Sequence, residues 1–142
     1  MKENVGRSST CSMDSSQNKA LLSKETFRDA EEKILVLCGT DRLGFGDDEL
    51  GLKLMINFIR TLKEIGDDLW RLVFVNNGVK LTIEGSEVLE DLKIYESTGL
   101  KILVCGTCLN HFNLSGKKKV GETTNMVDIV TSMQLADKVI SM

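Results

Sequence analysis

The chain has 142 residues, a length that suits one domain. Its 27% charged and 42% hydrophobic residues are the balance of a globular protein, which excludes wholesale disorder, a collagen-like chain and a membrane-spanning segment. A net charge of −3 leaves no basic surplus for nucleic acid, and the complete absence of proline excludes every motif that needs one.

Residues 1–32 read as a flexible polar tail or linker. Ser8, Ser9, Thr10, Ser12, Ser15 and Ser16 crowd a stretch whose only aromatic is Phe27, too little apolar surface to offset the entropy of ordering it. Met1 to Ser16 has no apolar region of the kind a secretory signal needs. Four cysteines in a chain with an ample core are not required as disulfide staples, so the expected compartment is reducing and cytoplasmic.

Residues 33–142 read as a single α/β domain. Ile34-Leu35-Val36-Leu37-Cys38 is an unbroken apolar run stopped by Gly39, the habit of a strand covered on both faces in a parallel sheet. The following Gly39 to Gly46 (GTDRLGFG) sits where phosphate loops occur. It lacks both the Gly-Lys-Ser/Thr ending and the Gly-x-Gly-x-x-Gly spacing, so it reads as the rim of a pocket with Arg42 as an anion contact. A helix runs from Asp48 and Glu49 to Ile65, closed by Gly66. Its apolar set (Leu52, Leu54, Met55, Ile56, Phe58, Ile59, Leu62, Ile65) is wider than one sheet contact needs. The excess predicts a subunit interface and hence a homo-oligomer.

Leu69 to Val75 is the second strand, ended by the turn signal Asn76-Asn77-Gly78. Ser86 to Ser97 is the second helix, with Gly99 as its stop, and Ile102 to Cys105 is the third strand. A short helix from Cys108 to Phe112, a fourth strand within Lys117 to Thr123, a helix from Met126 to Ala136 or Asp137 and a closing strand from Lys138 to Ser141 complete the order. Lys117-Lys118-Lys119 reads as a solvated loop. The alternation predicts a five-stranded, mostly parallel sheet with helices on both faces.

Cys-Gly-Thr closes both the first and the third strand. In the common doubly wound order 2-1-3-4-5 these strands are neighbours, so Cys38 and Cys105 would flank one crevice. The bland reading, with Cys38 as a small buried hydrophobe, ranks ahead of that. The candidate pocket then gathers Cys38, Gly39, Thr40, Arg42, Asn77, Gly106, Thr107 and His111 around the pair Cys105 and Cys108. A thiolate at a strand-to-helix junction is stabilised by unpaired backbone N–H groups, and a second thiol three residues on could attack a mixed disulfide or persulfide on the first. Inert packing ranks second, and a metal site from Cys38, Cys105, Cys108 and His111 ranks third.

The stretches KILVLCGTDRLGFGDDELG, LVFVNNGVKL, KILVCGTCLNHF, VGETTNMVDIV and ADKVIS stand in this order. Through them Lys33 to Met142 resembles the DsrE/DsrF-like family, in particular the C-terminal domain of its YedF type, described as a selenium-metabolism protein. The resemblance implies a five-stranded α/β fold and assembly into dimers, trimers or hexamers. It also implies that a cysteine at the end of the third strand, here Cys105, carries sulfur or selenium as a persulfide between donor and acceptor proteins, with Cys108 beside it. Sulfane sulfur moves between thiolates, so no cofactor is expected. YedF-type proteins usually carry an N-terminal TusA-like domain marked by a Cys-Pro pair. With no proline that domain is not expected here, and a separate TusA-like protein becomes one candidate partner. Two other classes stay open: a non-catalytic oligomeric module that binds a partner or ligand, and a metal-binding module.

Overall fold

The apolar run Ile34–Cys38 forms β1, and it has a strand on each side. Leu35, Val36 and Cys38 are therefore sealed from solvent. A computed structural model describes residues 31–142, so residues 1–30 of the expected tail, with Cys11, lie outside the described residues. Glu32–Met142 forms one compact unit.

The sheet has five parallel strands in the order β4-β3-β2-β1-β5. These are β1 (Ile34–Cys38), β2 (Leu69–Phe74), β3 (Lys101–Cys105), β4 (Glu122–Thr124) and β5 (Lys138–Ser141). The helices between them are α1 (Asp48–Thr61), α2 (Leu89–Ser97), α3 (Gly106–His111) and α4 (Met126–Leu135). From β1 to β4 the chain moves one way across the sheet, then returns past β1 to place β5. Because such crossovers are right-handed, the reversal puts α4 on the face opposite α1 and α2. Side-chain bonds agree: the Tyr95 hydroxyl of α2 donates to the Ile59 carbonyl of α1 at 2.6 Å, while Arg71 of β2 donates to Ser132 of α4. The expected order 2-1-3-4-5 is corrected. β2 separates β1 from β3, with Phe74 between Cys38 on one side and Val104 on the other.

Several boundaries differ from the periodicity. α1 stops at Thr61, and Leu62–Asp68 continues as a tighter 3-10 turn interrupted by Gly66 at φ 73°. α2 begins at Leu89, because Ser86 instead accepts the Val88 amide at 3.3 Å in a preceding turn. β4 is confined to Glu122–Thr124, since Lys118 bridges to Ile83 in the opposite sense and Gly121 turns the chain at φ 85°. The turn signal at Asn76 opens a 3-10 segment that runs to Thr82.

That segment locks onto the end of β1. The Val75 amide donates to the Cys38 carbonyl at 3.0 Å, and a Cβ added at Gly78 would stand 2.1 Å from the same oxygen. Only glycine fits, because the obstacle is backbone and cannot rotate away. Gly78→Ala is expected to cost about 2 kcal/mol, read as a lower urea midpoint. Gly116→Ala, where nothing lies within 4 Å of the added carbon, is expected to leave the midpoint unchanged.

Candidate functional site

The parallel sheet brings the ends of β2 and β3 side by side, so the segments leaving these two strands come into contact. β3 ends in buried residues, with Val104 at 0% and Cys105 at 3% exposure. α3 begins at once with Gly106, whose missing Cβ would lie 3.0 Å from a methyl of Thr123. Cys108 is thus the third residue of α3 and only partly buried. After β2, Asn76 takes a left-handed conformation (φ 52°), which asparagine tolerates better than most residues. Its backbone N–H donates to the Cys108 Sγ at 3.1 Å.

Cys108 opens onto a cavity of about 250 Å³ lined by Asn76, Thr107, Cys108, His111 and Phe112. The Phe112 ring meets His111 edge-on, with centroids 5.1 Å apart. Lys80 Nζ stands over that ring, 4.6 Å from its centroid.

The three described thiols have different electrostatics. Cys38 is fully buried in β1, and burial pushes its thiol up to about 12, so it behaves as an inert packing residue. Cys108 is also raised above the ordinary thiol value. Desolvation is the largest cause, followed by its hydrogen bond with the Cys105 thiol, while the Asn76 amide pulls the other way. Negative charge on Cys105 would raise it further. The two sulfurs therefore act on each other directly, and a single negative charge on the pair is favoured over two.

Of the expected site residues, the structure brings Cys105, Cys108, Thr107 and His111 together at the end of β3. Asn77 and Gly106 stand next to cavity residues without lining it. Cys38, Gly39, Thr40 and Arg42 belong to the end of β1 instead. There the Gly39 amide donates to the Met142 carbonyl at 3.0 Å, the Arg42 amide donates to Thr40 Oγ1 at 3.1 Å, and the Arg42 guanidinium lies 4.0 Å from Asp48. Because β2 intervenes, Cys38 does not join Cys105, Cys108 and His111 as a fourth metal ligand. Among the described residues no three His, Cys, Asp or Glu side chains gather in a way that could hold a metal ion. Asn76, Phe112 and Lys80 were not foreseen. For Asn76 a signal existed, because an asparagine opening a turn is a candidate for positive φ. For Phe112 and Lys80 only the packing reveals the role.

No family model matches the chain, and no curated protein matches it in sequence. Among solved structures, the crystal structure of the YchN protein from E. coli superposes with a TM-score of 0.60, covering 80% of this chain and 100% of that chain at 19% identity. The fold is DsrE-like. At that identity the likeness speaks for the architecture, and the chemistry of the DsrE-like domain here must be argued from its own residues. No helix among the described residues is long and apolar enough to cross a membrane.

The coupling of the two thiols can be read directly. Replacing Cys105 with alanine removes two of the influences that raise Cys108, so the pH at half-maximal alkylation of Cys108 is expected to move down. Rates for Cys108 followed by peptide mass analysis from pH 6 to 11 check this. An unchanged or upward-moved profile would show that the sulfurs do not interact.

Proposed function

We propose that this protein is a sulfane-sulfur carrier in which Cys108 meets the donor and Cys105 lies behind it as a second thiol. One observation carries the reading: a partly exposed sulfur at the mouth of a cavity, holding a backbone N–H on one side and a second thiol on the other. The thiolate of Cys108 attacks the outer sulfur of a persulfide R–S–SH. A bond forms between Cys108 Sγ and that sulfur, the donor S–S bond breaks, and R–S⁻ leaves with the electron pair. The leaving thiolate takes up the proton that Cys108 gave away, so the raised Cys108 pKa does not oppose the net exchange. It does keep the resting thiol slow toward stray electrophiles near neutral pH.

Two exits are open to the bound sulfur. An acceptor thiolate attacks the outer sulfur and restores Cys108. Alternatively the Cys105 thiolate attacks the inner sulfur, which forms the Cys105–Cys108 disulfide and expels HS⁻; a dithiol reductant then resets the pair. The resemblance in sequence pattern to YedF-type proteins favours Cys105 as the carrier by position. The burial of Cys105 and the exposure of Cys108 favour the reverse assignment, and we adopt it. Selenium, the heavier congener, would undergo the same exchange. Partners of the right chemistry are a persulfide-bearing donor protein and an acceptor thiol protein, a TusA-like protein being one candidate.

Treatment with a cysteine desulfurase and cysteine, followed by intact mass, tests the proposal. Wild type and Cys105→Ala are expected to gain one sulfur atom, removable by a thiol reductant, and Cys108→Ala is expected to gain none. No adduct on wild type, or one that survives Cys108→Ala, would sink it.

The reading includes self-association. α1 buries Gly51, Met55 and Ile59 but exposes Leu50, Leu52 and Leu54, and Phe45 in the loop before it is wholly exposed. Such apolar surface is costly to leave in water. Light scattering behind a sizing column is expected to give a mass above one chain, and to give less with Leu50→Glu and Leu54→Glu combined. A single-chain mass for the wild type at all concentrations would refute this part.

A further inference from the structure

The cavity at Cys108 is lined without a carboxylate. Of its two ring-bearing walls, His111 and Phe112, the latter carries the Lys80 ammonium 4.6 Å from its ring centroid. Lys80 also borders a second cavity that contains Asp41, yet among the described residues no carboxylate lies within ion-pair distance of its ammonium. Among the described residues its charge therefore has no anionic partner, and although Lys80 does not itself line the Cys108 cavity, it stands over the Phe112 ring that does. An attacking thiolate and an anionic donor repel each other, and a fixed cation within about a Debye length offsets that repulsion. The aromatic face holds the ammonium in place without cancelling its charge, because it offers a quadrupole and no anion.

From this we propose that Lys80 is a specificity-determining residue that biases Cys108 toward small anionic sulfane-sulfur donors, of which thiosulfate is the simplest. The inference rests on the carrier reading above. In the step it favours, the Cys108 thiolate attacks the outer sulfur of thiosulfate. The new S–S bond forms at Cys108 Sγ, the S–S bond of thiosulfate breaks, and sulfite leaves with the electron pair. Charge is conserved at three negative units on each side: thiolate plus thiosulfate dianion, then persulfide anion plus sulfite dianion. The cavity, about 250 Å³, has room for a donor of this size.

The test separates charge selection from sulfur transfer. Alkylation of Cys108 is measured with iodoacetate, an anion, and iodoacetamide, its neutral analogue, whose rate corrects for any change in thiolate fraction. In Lys80→Met the iodoacetate rate is expected to fall by about fivefold relative to iodoacetamide, and Lys80→Arg is expected to keep the wild-type ratio. The wild-type preference is expected to vanish near 1 M salt, where the screening length is about 3 Å. An unchanged ratio in Lys80→Met, or an equal loss for both reagents, overturns the role of Lys80. Persulfide formation from thiosulfate is then followed by mass. A shifted alkylation ratio with no persulfide from any donor leaves Lys80 as an anion selector and removes the carrier reading. Persulfide formed equally fast from thiosulfate in wild type and Lys80→Met removes the Lys80 proposal and leaves the carrier.

Discussion

All five strands run parallel, so every strand-to-helix junction must emerge on the same edge of the sheet. That constraint assembles the site. The residue after β2 and the first turn after β3 are far apart in sequence but adjacent in space, because their strands are hydrogen-bonded neighbours. The 3.1 Å contact from the Asn76 amide to Cys108 Sγ is the direct product. It depends in turn on Gly78, which lets the segment after β2 press against the Cys38 carbonyl. A backbone donor held in this way is already oriented before any sulfur becomes anionic, so little reorganisation is needed when charge develops there.

The same edge shows how burial and hydrogen bonding compete over a thiol. Cys38, two strands away at the end of β1, has lost all contact with water, and desolvation alone decides its behaviour. Cys108 is only partly covered. Its raised pKa is the balance of burial and the adjacent Cys105 against one favourable amide. Cys38 and Cys105 both end a strand before Gly-Thr, and both are buried. Cys108, in the first turn of α3, is the described thiol that reaches solvent.

Much of the fold was legible in the sequence. The apolar runs of β1 and β3 announced strands covered on both faces, and Gly99 stands just past the end of α2, whereas Gly66 marks a kink within the 3-10 segment that follows α1. Asp47 capping the Leu50 amide at 2.8 Å put the start of α1 where its acidic first turn suggested. Ends marked by tertiary contacts were read less well. β4 is three residues long, too short for periodicity, and its placement comes from pairing with β3. The overly apolar α1 did keep leucines on its surface, as its pattern implied.

By itself, then, the order of residues determined an alternating α/β chain, the buried character of its central strands and the presence of two thiols at the third junction. These arise from local composition and period, which nearest neighbours along the chain can express. Which strand lies beside β3 was decided only by tertiary structure, because strand order comes from long-range pairing that leaves no local mark. That decision set Phe74 between Cys38 and the other thiols, laid the Asn76 amide on Cys108, and brought Lys80 over Phe112. It thereby selected which sulfur meets solvent.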